Sequence, residues 1–184
     1  MPITFFSSKK DNTGAAFFLS FDSKGEAFYA ELIKQNGWSN ENQNGIFKGG
    51  AKTRVKFSLD EVSDMIQTVK NKSKCSFYHK FVKDGVTEVT SGTFSFYSIK
   101  GQDDKVREGF GLSVKKGNLQ YKVGFSLGAA EKLLQYIQFG LVHVFSSIYA
   151  TDKKRALEYL EKNKVKETKE EVKGEVQEEG NIEP

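Results

Sequence analysis

The sequence predicts an α+β protein built from two tandem repeats, each a four-stranded antiparallel sheet followed by a helix, with a C-terminal helix and an acidic disordered tail. Three observations support this prediction. The apolar residues of the 184-residue chain are unusually aromatic, with 16 Phe and 7 Tyr, and aromatic residues favour strands. Polar and apolar residues alternate with a period of two in several segments, as in sheets with one covered face. Short patterns also recur at one fixed offset along the chain.

The internal repeat is visible at three places that share an offset of 68 residues. The matching pairs are Phe28-Tyr29 with Phe96-Tyr97, Lys48-Gly49 with Lys116-Gly117, and Val55-x-Phe57-Ser58-Leu59 with Val123-x-Phe125-Ser126-Leu127. Chance similarity in an aromatic-rich chain is the alternative, but three matches in one register favour duplication. The predicted organisation is one domain at 1–150, with repeat one at about 1–72 and repeat two at about 73–150, then an amphipathic helix at 151–162 and a charged flexible tail at 163–184.

The second repeat has the clearer strand pattern. Alternation at 77–82 predicts a strand, and Asp84-Gly85 predicts the hairpin turn that follows, because glycine accepts a positive φ. Further strands are predicted at 93–99, 110–115 and 119–125. The inward face of the last strand is predicted to consist of Leu119, Tyr121, Val123 and Phe125.

The first repeat follows the same order less regularly. The polar, asparagine-rich segment 36–44 is predicted to be an exposed loop that carries Trp38. Strands are predicted at 15–21, 26–33, 45–48 and 52–57.

Helix-start signals follow the last predicted strand of each repeat. Ser58-Leu59-Asp60-Glu61 has the spacing of a capping box, and Ser126 is the predicted N-cap of the second helix. The second helix extends to Tyr149 or bends at Gly140, and its apolar residues on several faces indicate burial or, less often, a subunit interface. A third, amphipathic helix is predicted to begin at Asp152.

The net charge of +4 combines a basic body with an acidic end. From Glu161 onward there are eight glutamates and five lysines, which gives the tail −3 and leaves the body at +7. A basic body favours a polyanionic partner, although many soluble proteins are mildly basic. Three roles stay open for the tail: it competes with nucleic acid for the basic surface, recruits a protein partner, or is simply a solvated end.

The composition disfavours several classes of protein. The single cysteine, Cys75, excludes an intramolecular disulfide framework and a multi-cysteine zinc site. The most apolar stretch, 139–150, is shorter than the ~20 residues that span a bilayer, so no membrane partner is expected. The chain also begins without the pattern of a signal peptide. The expected location is the cytoplasm or nucleoid, with an organelle matrix as a further option.

Catalytic and cofactor motifs are missing from the sequence. His79 and His143 lie among apolar residues, where packing is the commoner role of a histidine. No His-x-x-x-His, Cys-x-x-Cys or Gly-x-Ser-x-Gly spacing occurs. We therefore expect no enzyme activity, no cofactor and no metal.

Two strand-to-helix joins, Arg54–Val62 and Lys122–Leu127, together with the stretches Tyr78–Phe81 and Phe110–Val114, carry a family resemblance. With the repeat, they make the chain similar to the Whirly-type single-stranded-DNA-binding fold. That group also covers guide-RNA-binding proteins, Pur-type repeats and the transcriptional coactivator positive cofactor four. The resemblance covers roughly residues 1–150 as an order of elements. It implies binding of single-stranded DNA or RNA across sheet surfaces, often by a homo-oligomer such as a dimer or tetramer.

Residue chemistry supports the same function independently. Unpaired bases stack on aromatic rings at ~1–3 kcal/mol per base, while Lys and Arg contact the phosphates. For each candidate an ordinary role is the alternative, because surface lysines solvate outer faces and aromatic residues pack in cores. The candidate nucleic-acid-binding residues are Trp38, Lys48, Lys52, Arg54, Lys56, Tyr78, His79, Lys80, Phe96, Tyr97, Lys100, Lys105, Arg107, Lys115, Lys116, Tyr121 and Lys122.

The predicted function is non-catalytic binding of single-stranded DNA or RNA in replication, repair, recombination or transcription. The alternative is a protein-interaction or scaffold module that assembles through the apolar second helix. Salt-dependent affinity for single-stranded oligonucleotides would select the first. A defined oligomer that ignores oligonucleotides would select the second.

Overall fold

The computed structural model describes residues 2–22, 27–83, 85–100 and 104–178, with side chains described as far as Lys162 apart from that of Lys83. The chain divides into two compact units, Met1–Val144 and Phe145–Pro184. The first unit contains both large sheets and the candidate site.

The first half of the chain forms a four-stranded antiparallel sheet, a small hairpin and a helix. Its elements are β1 (Ile3–Ser7), β2 (Ala15–Asp22), β3 (Ala27–Lys34), β4 (Gly37–Ser39), β5 (Asn44–Ile46), β6 (Lys52–Phe57) and α1 (Leu59–Lys70). Sheet 1 has the strand order β1-β2-β3-β6, and the β4–β5 hairpin is inserted between β3 and β6.

The second half repeats the order of four strands and a helix without the small hairpin. Its elements are β7 (Lys74–Lys83), β8 (Val86–Lys100), β9 (Val106–Lys116), β10 (Leu119–Ser126) and α2 (Leu127–Glu178). Sheet 2 has the strand order β10-β9-β8-β7, and all neighbouring strands are antiparallel. The predicted α+β class with two four-stranded antiparallel sheets is therefore confirmed.

Period-two alternation decides which face of each sheet is covered. In β6, Thr53, Val55 and Phe57 are buried, while the intervening basic residues are exposed. In β10 the same alternation buries Tyr121 and Val123. We call the covered side of each sheet its inner face and the opposite side its outer face.

One aromatic core joins the inner faces of the two sheets. Phe5 of β1 meets Phe125 of β10 edge-on, with ring centroids 5.0 Å apart. Phe57 of β6 meets Phe77 of β7 in the same way at 4.9 Å. Edge-to-face pairs of this kind add ~0.5–1.5 kcal/mol each beyond the area they bury, so the rings hold both halves in one core.

Each helix contacts the sheet of the other half. The helix α1 packs against β7 and β8 and also touches β3. Near the start of α2, Tyr136 packs on Phe21 of β2 at 5.6 Å between ring centroids, and Gly140 lies close to Phe28 of β3. The helices therefore cover inner faces, and the strand side chains that alternate with the core point away from them.

Both predicted N-caps are confirmed. The backbone N–H of Glu61 donates to Oγ of Ser58 at 3.2 Å, and the backbone N–H of Ser58 donates to Oε2 of Glu61 at 2.9 Å, which completes the capping box. At the start of α2, the N–H of Ala129 donates to Oγ of Ser126 at 3.2 Å.

The separate third helix predicted from Asp152 is wrong, because α2 is continuous through Gly140 and Asp152. Neither proline nor glycine occurs between Gly140 and Gly174, so the backbone carries no helix-breaking residue in this interval. The flexible tail at 163–184 stays a prediction: the backbone of 163–178 continues α2, and residues 179–184 lie outside the described residues.

The prediction of an exposed loop at 36–44 is wrong in part. Residues 40–43 form an exposed turn, but the segment contains the β4–β5 pairing and Trp38 is half-buried within β4. The buried side chain of Gln35 fixes the hairpin: its Nε2 donates to the carbonyl of Gly37 at 2.8 Å and to that of Lys9 at 2.8 Å.

Of the predicted Asp84-Gly85 turn, Gly85 has the expected positive φ of 76°, and Asp84 lies outside the described residues.

Candidate nucleic-acid interface

A shallow trough of about 410 Å³ crosses the outer face of sheet 2. Its floor follows two neighbouring rows of cross-strand partners. One row pairs Gly124 of β10 with Gly111 of β9, and Gly111 with Ser95 of β8. The next row pairs Lys122 with Ser113, and Ser113 with Thr93. Because the central side chains are small or absent, a ligand could approach the backbone closely along this floor.

Two glycines of the trough have no packing reason to be glycine. A Cβ at Gly111 would have its nearest neighbour at 4.0 Å, on the ring of Tyr97, and one at Gly124 would have it at 3.8 Å, on Oγ of Ser7. Neither residue has a positive φ. A Cβ at Gly92, by contrast, would lie 2.1 Å from the ring of Phe77. Glycine in a strand costs stability, so two glycines in open space favour a ligand there.

Aromatic and cationic side chains border the trough. Tyr97 of β8 lies across Gly109, whose added Cβ would be 2.6 Å from the tyrosine hydroxyl. Lys9 and Lys122 line the trough and are exposed, and within the described residues neither pairs with a carboxylate. The trough therefore combines an aromatic ring with two exposed cations, of which Lys9 also interacts electrostatically with Asp11. Single-strand binding relies on these two kinds of side chain.

The same outer face extends beyond the trough towards β7. The register places Lys115 opposite Ser91, and Ser91 opposite Tyr78. Tyr78 is 63% exposed, which is unusual for a tyrosine in the middle of a strand. Lys80 is exposed on the same side of β7, and Arg107 is exposed on the strand face of β9 that carries Gly109 and Gly111. Six sequence-predicted residues thus share this face with the trough: Tyr78, Lys80, Tyr97, Arg107, Lys115 and Lys122.

The outer face of sheet 1 also interleaves rings and cations. Phe6 of β1 contacts Phe18 of β2 at 6.0 Å and Phe47, which follows β5, at 5.4 Å between ring centroids. The guanidinium of Arg54 lies 6.0 Å from the ring centroid of Tyr29. The predicted cations of β6 are all exposed on this face: Lys52, Arg54 and Lys56.

The structure places Tyr121 outside the trough and excludes it as a stacking residue, because its side chain is fully buried. Its position on the inner face of β10 follows from the strand alternation, and a ring in the core cannot stack on a base. Burial also raises the pKa of the Tyr121 hydroxyl.

Three further candidates lie on the core side of sheet 2 and already have partners. Nε2 of His79 is 2.7 Å from Oε1 of Glu61. The ring of Phe96 packs against the core with the ammonium of Lys72 5.0 Å from its centroid. Lys116 pairs with Glu88 at 3.1 Å. These contacts place the three residues away from the trough.

The remaining candidates lie apart from the trough. Lys100 pairs with Asp104 at 2.7 Å and is exposed. Lys48 and Lys105 are exposed, and Trp38 is half-buried in β4. The structure does not bring these four residues into one group with the trough.

Sequence reasoning missed several residues of the two outer faces. The missed members are Lys9, Gly111, Gly124, Phe6, Phe18 and Phe47. A signal existed for the glycines, since glycine inside a predicted strand marks a bulge or a close backbone approach. No signal identified Lys9, because it follows a strand edge that only tertiary packing brings beside β10.

The described part of the chain holds no cluster of three or more His, Cys, Asp or Glu side chains that could bind a metal ion. No helix there is both long enough and apolar enough to cross a bilayer.

Among known proteins, no family model matches the chain, and no curated protein is similar to it in sequence.

Proposed function

We propose that the protein binds single-stranded DNA or RNA, without catalysis, on the outer faces of its sheets and chiefly in the trough of sheet 2. The observation that carries the proposal is the open floor at Gly111 and Gly124 between Tyr97 and Lys122. The processes it would serve are replication, repair, recombination or transcription.

The shape of the trough favours a single strand over a duplex. Bases of a single strand are free to stack on the half-buried ring of Tyr97 and the exposed ring of Tyr78, at ~1–3 kcal/mol each. In a duplex the base faces are stacked on each other and the grooves present edges only. A floor of glycine and serine next to a tyrosine offers space for a flat base and offers little to the edge of a duplex.

The arrangement of the halves supports the Whirly-type tandem repeat as part of the proposal. Each half has four antiparallel strands and then a serine-capped helix, and each helix contacts the other half's sheet. Val55 and Val123, which are related by the 68-residue offset, are both buried in the last strand of a half.

The direct experiment compares single- and double-stranded oligonucleotides of about 15 nucleotides. This length is near the largest number of nucleotides that one single-strand-binding domain of the OB type covers. Fluorescence anisotropy would be measured at about 50 and 200 mM salt. We expect the single strand to bind more tightly and its affinity to fall steeply with salt. Equal affinity for both forms, or indifference to salt, would count against the proposal.

Variants of the trough test its role separately. Gly124→Val and Gly111→Val fill the floor with a residue that favours strands, so we expect folded proteins with single-strand affinity reduced about tenfold or more. Gly124→Ala should have a smaller effect. Lys122→Ala removes one phosphate contact. The slope of the logarithm of the binding constant against the logarithm of the salt concentration should therefore decrease in magnitude by about one. Lys132→Ala, an exposed lysine on α2, is the matched control.

Self-association is a second proposal, and an observation on α2 favours it. Phe139 and Val142 are 57% and 66% exposed, although large apolar residues on a helix are usually covered. We expect a homo-oligomer, dimer or tetramer, in sedimentation equilibrium, and Phe139→Ser with Val142→Ser should dissociate it. A monomer at all concentrations would reject this assembly and leave the nucleic-acid proposal standing.

A further inference from the structure

A second cavity, of about 450 Å³, lies between the edge strand β6 of sheet 1 and one end of sheet 2, where β8, β9 and β10 meet. It does not share residues with the trough. The residues that matter for its chemistry are Lys52, Thr53, Arg54, Glu88, Lys116 and Tyr121.

Two residues that line this cavity carry buried hydroxyl groups without a hydrogen-bond partner among the described residues. Tyr121 is 0% exposed and Thr53 is 7% exposed, and both residues line the cavity. Within the described residues, neither Oη of Tyr121 nor Oγ1 of Thr53 has a hydrogen-bond partner. A buried polar group without a partner is costly, and most such groups in folded proteins are satisfied. The two residues are also related by the 68-residue offset, so both halves of the chain place a hydroxyl here.

The charged side chains around the cavity favour an anion. Three cations line it, and Glu88 is its one lining carboxylate among the described residues. Nζ of Lys116 is 3.1 Å from Oε2 of Glu88, and Nζ of Lys52 is 3.7 Å from Oε1 of Glu31, which lies outside the lining. Arg54 is therefore the one lining cation without an ion pair among the described residues, and the unpartnered hydroxyls can donate to acceptor oxygens.

Charge and the number of acceptor oxygens distinguish two kinds of phosphate. A phosphate monoester carries about −1.5 to −2 at neutral pH and has three acceptor oxygens. An internal phosphodiester of a strand carries one negative charge. A cavity of about 450 Å³ is also larger than a phosphate group and leaves room for an attached nucleoside.

We propose that this cavity is a phosphate-monoester site, which holds the phosphorylated end of a single strand. The strand end as source rests on the proposed function, whereas binding of a phosphate monoester does not. In the complex, Tyr121 and Thr53 donate hydrogen bonds to phosphate oxygens, and Lys52, Arg54 and Lys116 neutralise the dianion. The protein thereby distinguishes a strand terminus from the interior of a strand.

The test uses the full chain and oligothymidylates of about 15 nucleotides, ended by a 5′-phosphate, by a 3′-phosphate or by hydroxyls alone. We expect one phosphorylated form to bind about tenfold more tightly than the hydroxyl-ended strand. Thymidine monophosphate should remove this preference by competition. Inorganic phosphate should raise the melting temperature relative to chloride at equal ionic strength, since a ligand of the folded state stabilises it.

The hydroxyl groups are removed with Tyr121→Phe and Thr53→Val, singly and together. Neither hydroxyl has a hydrogen bond to lose among the residues that the structure describes, so the variants should fold, and thermal unfolding checks this. The double variant should lose the preference for phosphorylated ends and the thermal shift with phosphate. Tyr136→Phe, which alters a tyrosine outside the cavity, should keep both.

The outcomes separate the two proposals. If strands bind equally with and without a terminal phosphate, the cavity proposal is overturned and the proposed function stands. If the double variant keeps a tenfold preference, the phosphate lies elsewhere and the cavity proposal is likewise overturned. If no strand binds but phosphate and thymidine monophosphate stabilise the wild type and not the double variant, the cavity site stands and the proposed function fails.

Discussion

Nε2 of His79 lies 2.7 Å from Oε1 of Glu61, and this contact ties the second half of the chain to the first helix cap. The other carboxylate oxygen of Glu61 accepts the backbone N–H of Ser58. One glutamate therefore completes the capping box of α1 and also holds that helix against β7. With His79 directed to the helix, its neighbour Tyr78 faces the opposite side of the sheet, where it is exposed.

Glu61→Ala should destabilise the protein more than either of its separate roles would suggest. Loss of a cap costs about 1 kcal/mol, and loss of the partly buried contact to His79 adds about 1 kcal/mol. We expect a decrease in the free energy of unfolding of about 2 kcal/mol for Glu61→Ala and about 1 kcal/mol for Ser58→Ala in urea titrations. Asp60→Ala, an exposed acid in the same turn, is the control. Equal effects of Glu61→Ala and Asp60→Ala would contradict the linking role.

Gly140→Ala should destabilise the protein although alanine favours helices. A Cβ at Gly140 would lie 2.7 Å from the ring of Phe28 and 2.8 Å from that of Phe21. Overpacking of this kind costs about 1–3 kcal/mol, which exceeds the ~1 kcal/mol gained in helix propensity. Gly128→Ala is the matched control on the same helix, because no atom lies within 4 Å of its added Cβ. The melting temperature should fall for the first variant and stay or rise for the second.

Stability should decline at high pH through buried tyrosines. Burial raises the pKa of Tyr121 and of Tyr136 above the ordinary value of about 10. Above about pH 10 the tyrosine hydroxyls keep their protons in the folded state and ionise in the unfolded state. The tyrosines therefore contribute fully to the free energy of unfolding below about pH 10, and this contribution is lost as the pH rises further. The free energy of unfolding should fall above that pH, and less steeply in Tyr121→Phe. An unchanged slope in that variant would show that Tyr121 does not contribute.

Cys75 should react slowly with thiol reagents in the folded protein. Partial burial raises the pKa of its thiol, although a hydrogen bond with Thr68 acts in the opposite direction. The thiolate is the reactive form, so a raised pKa lowers the reactive fraction near pH 8. We expect alkylation to be at least about tenfold slower in buffer than in urea, measured by mass spectrometry. Equal rates would indicate that the thiol is exposed in solution.

Much of the fold could be predicted because strand and helix signals are local. The alternation in β6 and the serine before each helix need only neighbouring residues to be interpreted, and both predictions are confirmed. The predicted third helix failed at Asp152 because a polar, cap-like residue does not end a helix that has already begun. The loop predicted around Trp38 is wrong in part, because composition alone does not distinguish an asparagine-rich hairpin from an asparagine-rich loop.

Part of the candidate site could be predicted, because the position of a residue in a strand indicates the face of the sheet on which its side chain lies. Lys122 and Tyr78 were placed on the outer face by their strand parity, which the structure supports. The alternation of β10 predicts that Tyr121 faces inward, and the structure buries it, so it does not belong with the outer-face candidates. Parity is a local property of the chain and was the better guide, because a sheet has two faces and the core takes one of them.

The sequence by itself determined the two sheets, the helix starts and the faces on which the basic residues lie. Only the tertiary structure decided which glycines are packed and which are open: Gly92 faces a phenylalanine ring, whereas Gly111 and Gly124 face space. It also brought Thr53 and Tyr121 to the same cavity. The physical reason is that a strand's own alternation is set by neighbouring residues, while empty space and unpartnered hydroxyls depend on what distant segments place beside them.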